Sequence, residues 1–328
     1  MFSRKTVCSI SMFMIFMFLV SSISTISLDF YHDSCPHAET MVREIVRSAS
    51  EKDSTVPGKL LRLLFHDCMV EGCDGSVLIK GNETERSDPA NETLGGFEVV
   101  DSAKRMLEFV CPETVSCADI VVLAARDAVE LTGGPSVTIP TGRRDGLRST
   151  SNSVQPNLID TTFSLTESLR IFSAKNLTTT DLVTLSGAHT IGSSHCTSII
   201  DDRFQTDPDT GKISFLPSVD SSLNKSFADD LSHQCNSMKS DAVVKNDLKT
   251  GMVFDNVYFS NLLEGKGLFL TDTVLADDER TAELVNVYAR DEKEFFDRWQ
   301  ESFLKLGSID VKTGDQGEIR RICTEIND

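Results

Sequence analysis

The sequence predicts a mainly α-helical protein that folds as one integrated domain with very little β-structure. Apolar residues recur at helical spacing along most of the 328 residues, whereas strand patterns occur only at Val137–Ile139 and Ile213–Phe215. No internal repeat or low-complexity linker divides the chain. Apolar residues make up 40% and charged residues 25% of the sequence, and this ordinary globular composition excludes a disordered or collagen-like chain.

The N-terminus has the order of a secretory signal. Arg4 and Lys5 precede the apolar stretch Val7–Val20, and a run of small residues follows it. The alternative is a membrane anchor, but the apolar stretch is about 14 residues long and a membrane-spanning helix needs about 20. We therefore expect residues 1–27 to be removed and residues 28–328 to form the mature domain.

The rest of the chain indicates an exported protein without a membrane or nucleic-acid partner. No second long apolar stretch follows the signal. The 50 acidic and 32 basic residues give a net charge of −18, whereas binding to nucleic-acid phosphates needs clustered Lys and Arg. The residues after Cys323 contain no Lys-Asp-Glu-Leu retention signal, so we expect export to the cell exterior or the cell wall.

Eight segments carry helical patterns. The sequence Ser116-Cys117-Ala118-Asp119 is typical of a capping box, and it predicts a helix that begins there and stops at Gly133-Gly134. The other predicted helices are Pro36–Glu51, Lys59–His66, Phe97–Val110, Leu165–Lys175, Thr180–Ser186, Asp255–Leu263 and Thr281–Leu306.

The cysteines indicate a disulfide framework. The chain has nine cysteines, and Cys8 lies in the signal, which leaves eight. In a secreted chain an even number favours disulfides over thiol metal ligands, and eight cysteines allow 105 pairings. A cysteine hydrolase that uses Cys68 is excluded because no thiol remains free. Sequons for N-glycosylation, which also fit secretion, begin at Asn82, Asn91, Asn176 and Asn224.

Arg62 and His66 form a candidate catalytic pair. They lie four residues apart in a leucine-rich segment, so a helix places them on one face. One interpretation is a surface cation beside a core histidine. The leucines around the pair indicate that this helix face points inward. Because burial of an unpaired Arg is costly, such burial would indicate a function. A fixed cation lowers the pKa of a neighbouring histidine and leaves the imidazole free to act as a base.

Two oxygen-rich segments and one histidine are candidate metal ligands. Asp67–Ser76 combines two carboxylates with a hydroxyl, and hard oxygen ligands of this kind suit Ca²⁺. An ordinary acidic turn is the alternative. Asp247–Asp255 has a similar but weaker pattern. His189 ends an apolar helix before a run of small residues, which is typical either of a metal ligand or of a core histidine.

These patterns occur together in four motifs: Arg62-x-x-Phe65-His66-Asp67-Cys68, Val115-Ser116-Cys117-Ala118-Asp119, Gly142-Arg143-Arg144-Asp145 and Leu185-Ser186-Gly187-Ala188-His189-Thr190-Ile191-Gly192. With them, and with the order of its cysteines, the chain from Phe30 to Cys323 resembles the class III secretory peroxidases of plants. The resemblance implies the haem peroxidase fold, in which a distal and a proximal helical lobe enclose one haem b. It implies a monomer that reduces H₂O₂ to water and oxidises phenolic and other small aromatic donors by one-electron steps. The processes served would be lignin, suberin and wall chemistry, auxin turnover or the oxidative stress response.

The resemblance also implies roles for distal residues. His66 would take a proton from H₂O₂ and return it to the departing oxygen. Arg62 would stabilise the charge that develops during O–O cleavage. Asn91 would orient His66, and Glu85 would complete that hydrogen-bond chain.

On the proximal side, the resemblance implies that His189 is the axial ligand of the haem iron and that Asp272 accepts its second ring N–H. It further implies two Ca²⁺ ions. The ligands of the first would be Asp67, Val70, Gly72, Asp74 and Ser76. Those of the second would be Thr190, Asp247, Thr250, Val253 and Asp255.

The resemblance finally implies a disulfide pairing and a donor site. The pairs would be Cys35–Cys111, Cys68–Cys73, Cys117–Cys323 and Cys196–Cys235. Pro156 matches the donor-site proline of the family, whereas Pro89, Ile159 and Ser198 replace its aromatic rim. Because a glycan on Asn91 would prevent it from orienting His66, we expect glycans at the other three sequons, Asn82, Asn176 and Asn224.

The alternative function is a non-catalytic secreted glycoprotein on the same scaffold. Such a protein would be expected to lose some of the distal and proximal residues named above. All of them are present, which favours the enzyme.

Overall fold

The computed structural model describes residues 25–206, 213–215, 222–235 and 242–328. Most of the predicted signal, residues 1–27, lies outside these ranges. The described helices are α1 (Ala38–Lys52), α2 (Val56–Val70), α3 (Phe97–Val110), α4 (Cys117–Leu131), α5 (Leu165–Ala174), α6 (Thr179–Ser186), α7 (Thr197–Arg203), α8 (Lys225–Cys235), α9 (Val257–Leu263), α10 (Leu270–Asp277), α11 (Ala282–Arg290) and α12 (Glu292–Leu306). The described strands are β1 (Ser193–His195), β2 (Phe204–Thr206), β3 (Ile213–Phe215) and β4 (Val243–Lys245). The mainly α-helical class is therefore confirmed.

Two predicted elements differ from the structure. The segment Thr281–Leu306 is predicted as one helix, but α11 and α12 meet at Asp291. The Asp291 carboxylate accepts a hydrogen bond of 3.0 Å from the backbone N–H of Glu294 and so caps α12 as a new helix. Val137–Ile139 is predicted as a strand, but in the described part of the chain it pairs with no other segment. The other predicted strand is β3.

Helix α4 is the centre of the first lobe, and α1, α2 and α3 pack against it. Its residues from Cys117 to Val129 are all buried, as expected for a helix that is apolar on most sides. Ser116 caps α4 by accepting a hydrogen bond of 3.0 Å from the backbone N–H of Asp119. The predicted capping box is incomplete, because the Asp119 carboxylate instead accepts hydrogen bonds from Tyr31 and Arg143.

The second lobe is built on an aromatic core. Helices α6, α9, α11 and α12 pack together there. The rings of Phe254 and Trp299 lie 4.6 Å apart, and those of Phe259 and Phe295 lie 4.9 Å apart. Edge-to-face contacts of this kind stabilise a core beyond the burial of apolar area. They fix the end of α6, where a 3₁₀ turn carries His189.

Two glycines let the lobes approach each other closely. A Cβ atom on Gly58 of α2 would lie 2.7 Å from the Cα atom of Gly192, so a larger residue would push the two segments apart. Gly192 follows His189 by three residues. The contact therefore sets α2 beside the segment that carries His189. From there β1 pairs antiparallel with β4, and β2 pairs antiparallel with β3.

Four disulfides cross-link the described chain: Cys35–Cys111, Cys68–Cys73, Cys117–Cys323 and Cys196–Cys235. These are the four pairs that the resemblance implies. Among the described residues, no helix is both long and apolar enough to cross a bilayer.

Candidate active site

Helix α2 carries Arg62 and His66 and packs against the 3₁₀ turn that carries His189. The space between these two segments is called the cleft. Arg62 Nε donates a hydrogen bond of 3.2 Å to His66 Nε2. The expectation that Arg62 is buried is wrong in part, because its side chain is exposed while the leucines beside it are buried. The guanidinium is fixed by the hydroxyl of Thr93 at 2.9 Å and the carbonyl oxygen of Ala90 at 3.1 Å. It forms no ion pair with a carboxylate of the described residues, so its charge remains available to the cleft.

Asn91 sets the protonation of His66. The Asn91 side-chain nitrogen donates a hydrogen bond of 2.8 Å to the backbone carbonyl of Glu85, which identifies the other amide atom, Oδ1, as an acceptor. His66 Nδ1 lies 2.6 Å from that oxygen and therefore carries the proton, so Nε2 is unprotonated and its lone pair accepts the hydrogen bond from Arg62. Burial, and then the charge of Arg62, lowers the pKa of His66 to about 3. The imidazole is therefore a neutral base at neutral pH.

Glu85 takes part in the hydrogen-bond chain of Asn91 and His66 through its backbone carbonyl, and its carboxylate is not part of that chain. That carboxylate is fully buried, and its Oε2 atom has no hydrogen-bond partner in the described structure. Burial, and then the charge of Asp67, raises the pKa of Glu85 to about 8. The carboxylate is therefore close enough to the oxygen-rich loop after α2 to be affected by its charges.

His189 pairs with Asp272 on the opposite side of the cleft. His189 Nδ1 lies 2.8 Å from Oδ1 of Asp272, a buried carboxylate in the first turn of α10. Burial lowers the pKa of His189, but the charge and hydrogen bond of Asp272 outweigh burial and raise it overall. Nδ1 therefore carries a proton that points at the carboxylate. Nε2 has no hydrogen-bond partner among the residues described and is free to bind a metal.

The two histidines face one cleft. The charge of Arg62 reaches His189 and acts to lower its pKa, and 37% of the His189 side chain is exposed although the residue lies inside the fold. An imidazole whose second N–H is held by a carboxylate is the usual proximal ligand of peroxidase haem. His66 is held away from such a role by Asn91 and Arg62. This donor set fits one haem bound from the His189 side.

The loop after α2 gathers buried oxygen atoms. Asp67 and Asp74 are each 1% exposed, and Ser76 is fully buried. Within the described residues, the Ser76 hydroxyl has no hydrogen-bond partner. Burial, and then the charge of Asp74, raises the pKa of Asp67 to about 8. Crowded buried carboxylates and an unpartnered hydroxyl fit a bound Ca²⁺ ion. The carbonyls of Val70 and Gly72, which the resemblance adds to this set, accept hydrogen bonds from Lys175 Nζ at 3.2 Å and from the backbone N–H of Asp74 at 2.8 Å.

A second oxygen cluster lies next to His189. Thr190 Oγ1 donates a hydrogen bond of 2.9 Å to Asp255 Oδ1. Thr250 Oγ1 lies 3.1 Å from Asp247 Oδ2 and 3.2 Å from Asp255 Oδ1. No basic side chain in the described ranges pairs with either carboxylate, and Val253 lies in the same loop and offers its backbone carbonyl. This set also fits Ca²⁺.

The predicted donor residues lie at the surface. Pro156 and Pro89 are exposed, and Ser198 on α7 is exposed as well. Gln155 donates a hydrogen bond of 3.2 Å to Asp88, which joins the loop of Pro156 to the turn that contacts Arg62. The other rim position, Ile159, is half-buried.

The four sequons differ in accessibility. Asn82 and Asn176 are exposed, whereas Asn91 is 2% exposed and uses both amide atoms in the chain to His66. Asn224 is half-buried, and its Oδ1 atom accepts a hydrogen bond of 3.0 Å from the backbone N–H of Ser226 at the start of α8. The burial of Asn91 agrees with the expectation that its sequon carries no glycan.

Sequence reasoning missed three residues that contact the site. Thr93 holds Arg62, Lys312 Nζ contacts Asp74 Oδ2, and the Tyr258 hydroxyl donates a hydrogen bond of 2.8 Å to Asp272 Oδ1. Each lies far along the chain from its partner. No local pattern marks a threonine, a lysine or a tyrosine for such a contact, so only the fold identifies them.

Comparisons with known proteins agree with this geometry. The model of the family described as Peroxidase matches residues 42–291. Among curated proteins of Arabidopsis thaliana, Peroxidase 18 is 53% identical over 97% of this chain and 96% of its own length. Peroxidase 46 is 54% identical over 94% of both chains, and Peroxidase 14 is 44% identical over 91% of this chain and 88% of its own. The chain therefore belongs to the peroxidase family, as a member of its plant class III group.

Proposed function

We propose that this peroxidase is a secreted haem enzyme that reduces H₂O₂ to water with small phenolic and other aromatic donors. The observation that carries the proposal is the pair of histidines, one neutral and unprotonated at Nε2 and the other hydrogen-bonded to a carboxylate. Haem, when bound, supplies the iron that accepts two oxidising equivalents from H₂O₂ and delivers them to donors one at a time.

The distal residues move protons and stabilise charge. His66 Nε2 takes the proton of H₂O₂ and returns it to the departing oxygen, which leaves as water. The Arg62 guanidinium, fixed by Thr93 and Ala90, stabilises the negative charge that develops as the O–O bond breaks. Asn91 keeps His66 in the tautomer that leaves Nε2 free.

The proximal residues hold the cofactor. His189 Nε2 binds the haem iron, and Asp272 accepts the Nδ1–H hydrogen bond. That hydrogen bond makes the imidazole a stronger electron donor. The distance of 2.8 Å between His189 Nδ1 and Asp272 Oδ1 and the burial of Asp272 support this assignment.

Two Ca²⁺ ions stabilise the two halves of the site. The first is bound by the loop that follows His66, through Asp67, Val70, Gly72, Asp74 and Ser76. The second is bound by Thr190, Asp247, Thr250, Val253 and Asp255. Because Thr190 directly follows His189, loss of the second ion would change the position of the iron ligand.

Small donors suit the surface of this enzyme. Tyrosine and tryptophan are the side chains that pass single electrons most readily, and the chain has three of the first and one of the second. All four are at most 5% exposed: Tyr31, Tyr258, Tyr288 and Trp299. A large polymer therefore has no such side chain to contact, which favours small donors that can reach the cleft. Pro156, which the resemblance assigns to the donor site, is exposed.

The proposed location is the cell exterior, in the wall or apoplast. The predicted signal, residues 1–27, and the disulfide framework support export. Glycans would occupy Asn82 and Asn176, which are exposed, and Asn224. The enzyme would act as a monomer.

The test is reconstitution of residues 28–328 with haemin. We expect a Soret titration that ends at one haem per chain, followed by H₂O₂-dependent oxidation of guaiacol or ferulate. A protein that takes up no haem would overturn the proposal. One that takes up haem but turns over no donor would favour the non-catalytic glycoprotein instead.

A further inference from the structure

Asp272 receives two strong hydrogen bonds on a single oxygen. His189 Nδ1 and the Tyr258 hydroxyl each lie 2.8 Å from Asp272 Oδ1. Among the described residues, the other oxygen, Oδ2, accepts only a backbone hydrogen bond of 3.1 Å, from Phe269. The phenol and the imidazole therefore compete for the same lone pairs.

The arrangement is buried. Asp272 is 2% and Tyr258 is 3% exposed. The ring of Tyr258 meets the ring of His189 edge to face at 6.0 Å, and Phe269 meets it on another side at 5.3 Å. Tyr258 lies in α9, in the second lobe. Among the described residues, its hydroxyl has no hydrogen-bond partner other than Asp272. The phenol cannot turn away from Asp272 without leaving a buried hydroxyl unpaired, which is costly.

A hydrogen bond to a carboxylate stabilises its charged form and makes it a weaker base. A weaker base pulls less on the Nδ1 proton of His189. The imidazole then has less imidazolate character and donates less electron density to a metal on Nε2. The Tyr258 hydroxyl therefore acts against the effect of Asp272 on His189.

We propose that Tyr258 is a positioning residue that limits electron donation from His189 to the haem iron by sharing Oδ1 of Asp272. This inference rests on the proposed role of His189 as the iron ligand. Its consequence is a higher Fe(III)/Fe(II) reduction potential than the His189–Asp272 pair would give alone. Tyr258 acts through Asp272 and does not contact the reacting atoms.

The variant Tyr258→Phe tests this, because it removes the hydroxyl and keeps the ring. The haem-loaded proteins are compared by spectroelectrochemistry and by resonance Raman measurement of the Fe(II)–His stretch. We expect Tyr258→Phe to shift the midpoint potential to more negative values and the stretch to higher frequency. Asp272→Asn, which weakens the pull on His189, should shift both in the opposite directions.

Tyr288→Phe is the matched control. Tyr288 is also buried, and its hydroxyl bonds to Thr184 at 2.9 Å in the same lobe, without contact to Asp272. It should leave both readouts at wild-type values. A Tyr258→Phe protein with wild-type values, or with shifts in the direction of Asp272→Asn, would overturn the role of Tyr258. Absence of the Fe(II)–His band from the wild-type protein would overturn the assignment of His189 together with this inference.

Discussion

At the scale of single residues, catalysis depends on which nitrogen of His66 is free. Asn91 decides this with one hydrogen bond of 2.6 Å, and its own orientation is fixed by the carbonyl of Glu85. Sequence motifs could identify both positions. They could not show that Glu85 contributes its backbone carbonyl, whereas its carboxylate is affected by the charge of Asp67. A motif names a residue but does not say whether its backbone or its side chain makes the contact.

The first prediction concerns Asn91. Asn91→Ala removes the acceptor that fixes the ring, so the imidazole can rotate and adopt the wrong tautomer. We expect the second-order rate constant with H₂O₂ to fall by about 10- to 100-fold, since small errors in the position of a catalytic group have costs of this size. Stopped-flow mixing measures it, and a wild-type rate would show that Asn91 does not orient His66.

The second prediction concerns pH. Only neutral His66 can accept a proton, so activity is lost as the pH falls through its pKa of about 3. The rate constant with H₂O₂ should therefore stay level from neutral pH down to about pH 4. Arg62→Leu removes a charge that lowers this pKa and should move the acid limb to higher pH. An acid limb that stays in place would exclude coupling between the two residues.

At the scale of elements, the loop Asp67–Ser76 concentrates negative charge that the protein alone does not balance. Lys312 contacts Asp74, but Asp67 and Glu85 keep pKa values raised to about 8, first by burial and then by their carboxylate neighbours. A bound cation would lower these pKa values. The metal is therefore expected to stabilise the fold as well as the site.

The third prediction is that Ser76→Ala weakens Ca²⁺ binding. The matched control is Ser168→Ala, because Ser168 is also buried with an unpartnered hydroxyl but lies on α5. Ser76→Ala should lose Ca²⁺ at a lower chelator concentration than wild type and then melt at a lower temperature, whereas Ser168→Ala should not. Metal analysis that finds no calcium in active enzyme would contradict both sites.

The elements also show what a linear pattern can and cannot specify. Apolar residues recur at helical spacing on both sides of the charged run 290–294, and no Gly or Pro interrupts Thr281–Leu306, so the pattern predicts one helix. The break at Asp291 depends on a cap, which competes locally with continuation of the helix. Val137–Ile139 has the composition of a strand, but a strand exists only where another segment pairs with it, and pairing is not encoded locally.

At the scale of the whole molecule, disulfides cross-link segments that are distant in the sequence. The Cys117–Cys323 disulfide closes a loop with a sequence separation of 206, whereas Cys196–Cys235 closes one of 39. In the chain-entropy description, removal costs about 5 kcal/mol for the first and about 4 kcal/mol for the second.

The fourth prediction follows from that order. The double variant Cys117→Ala/Cys323→Ala should lose more free energy of unfolding than Cys196→Ala/Cys235→Ala. Denaturant unfolding under non-reducing conditions measures both. An equal or larger loss in the second variant would show that native contacts, rather than loop closure, dominate the effect.

The cleft itself is a property of the whole fold. Motifs could place Arg62 and His66 on one helix and His189 at the end of another. That Arg62 is exposed, and that its charge reaches His189, depends on packing between segments more than a hundred residues apart. The contacts of Thr93 with Arg62 and of Tyr258 with Asp272, which span 31 and 14 residues, also follow from tertiary structure.

The central claim is that His66 transfers protons in a cleft where His189 holds the haem. The most direct test is the second-order rate constant for H₂O₂, followed at the Soret band in haem-loaded wild type and His66→Ala. His233→Ala, at an exposed histidine of α8, is the control. We predict a loss of at least about 10²- to 10⁴-fold for His66→Ala with unchanged haem content, since general acid–base catalysis contributes this much, and no loss for His233→Ala. A His66→Ala rate within a few-fold of wild type would contradict the account.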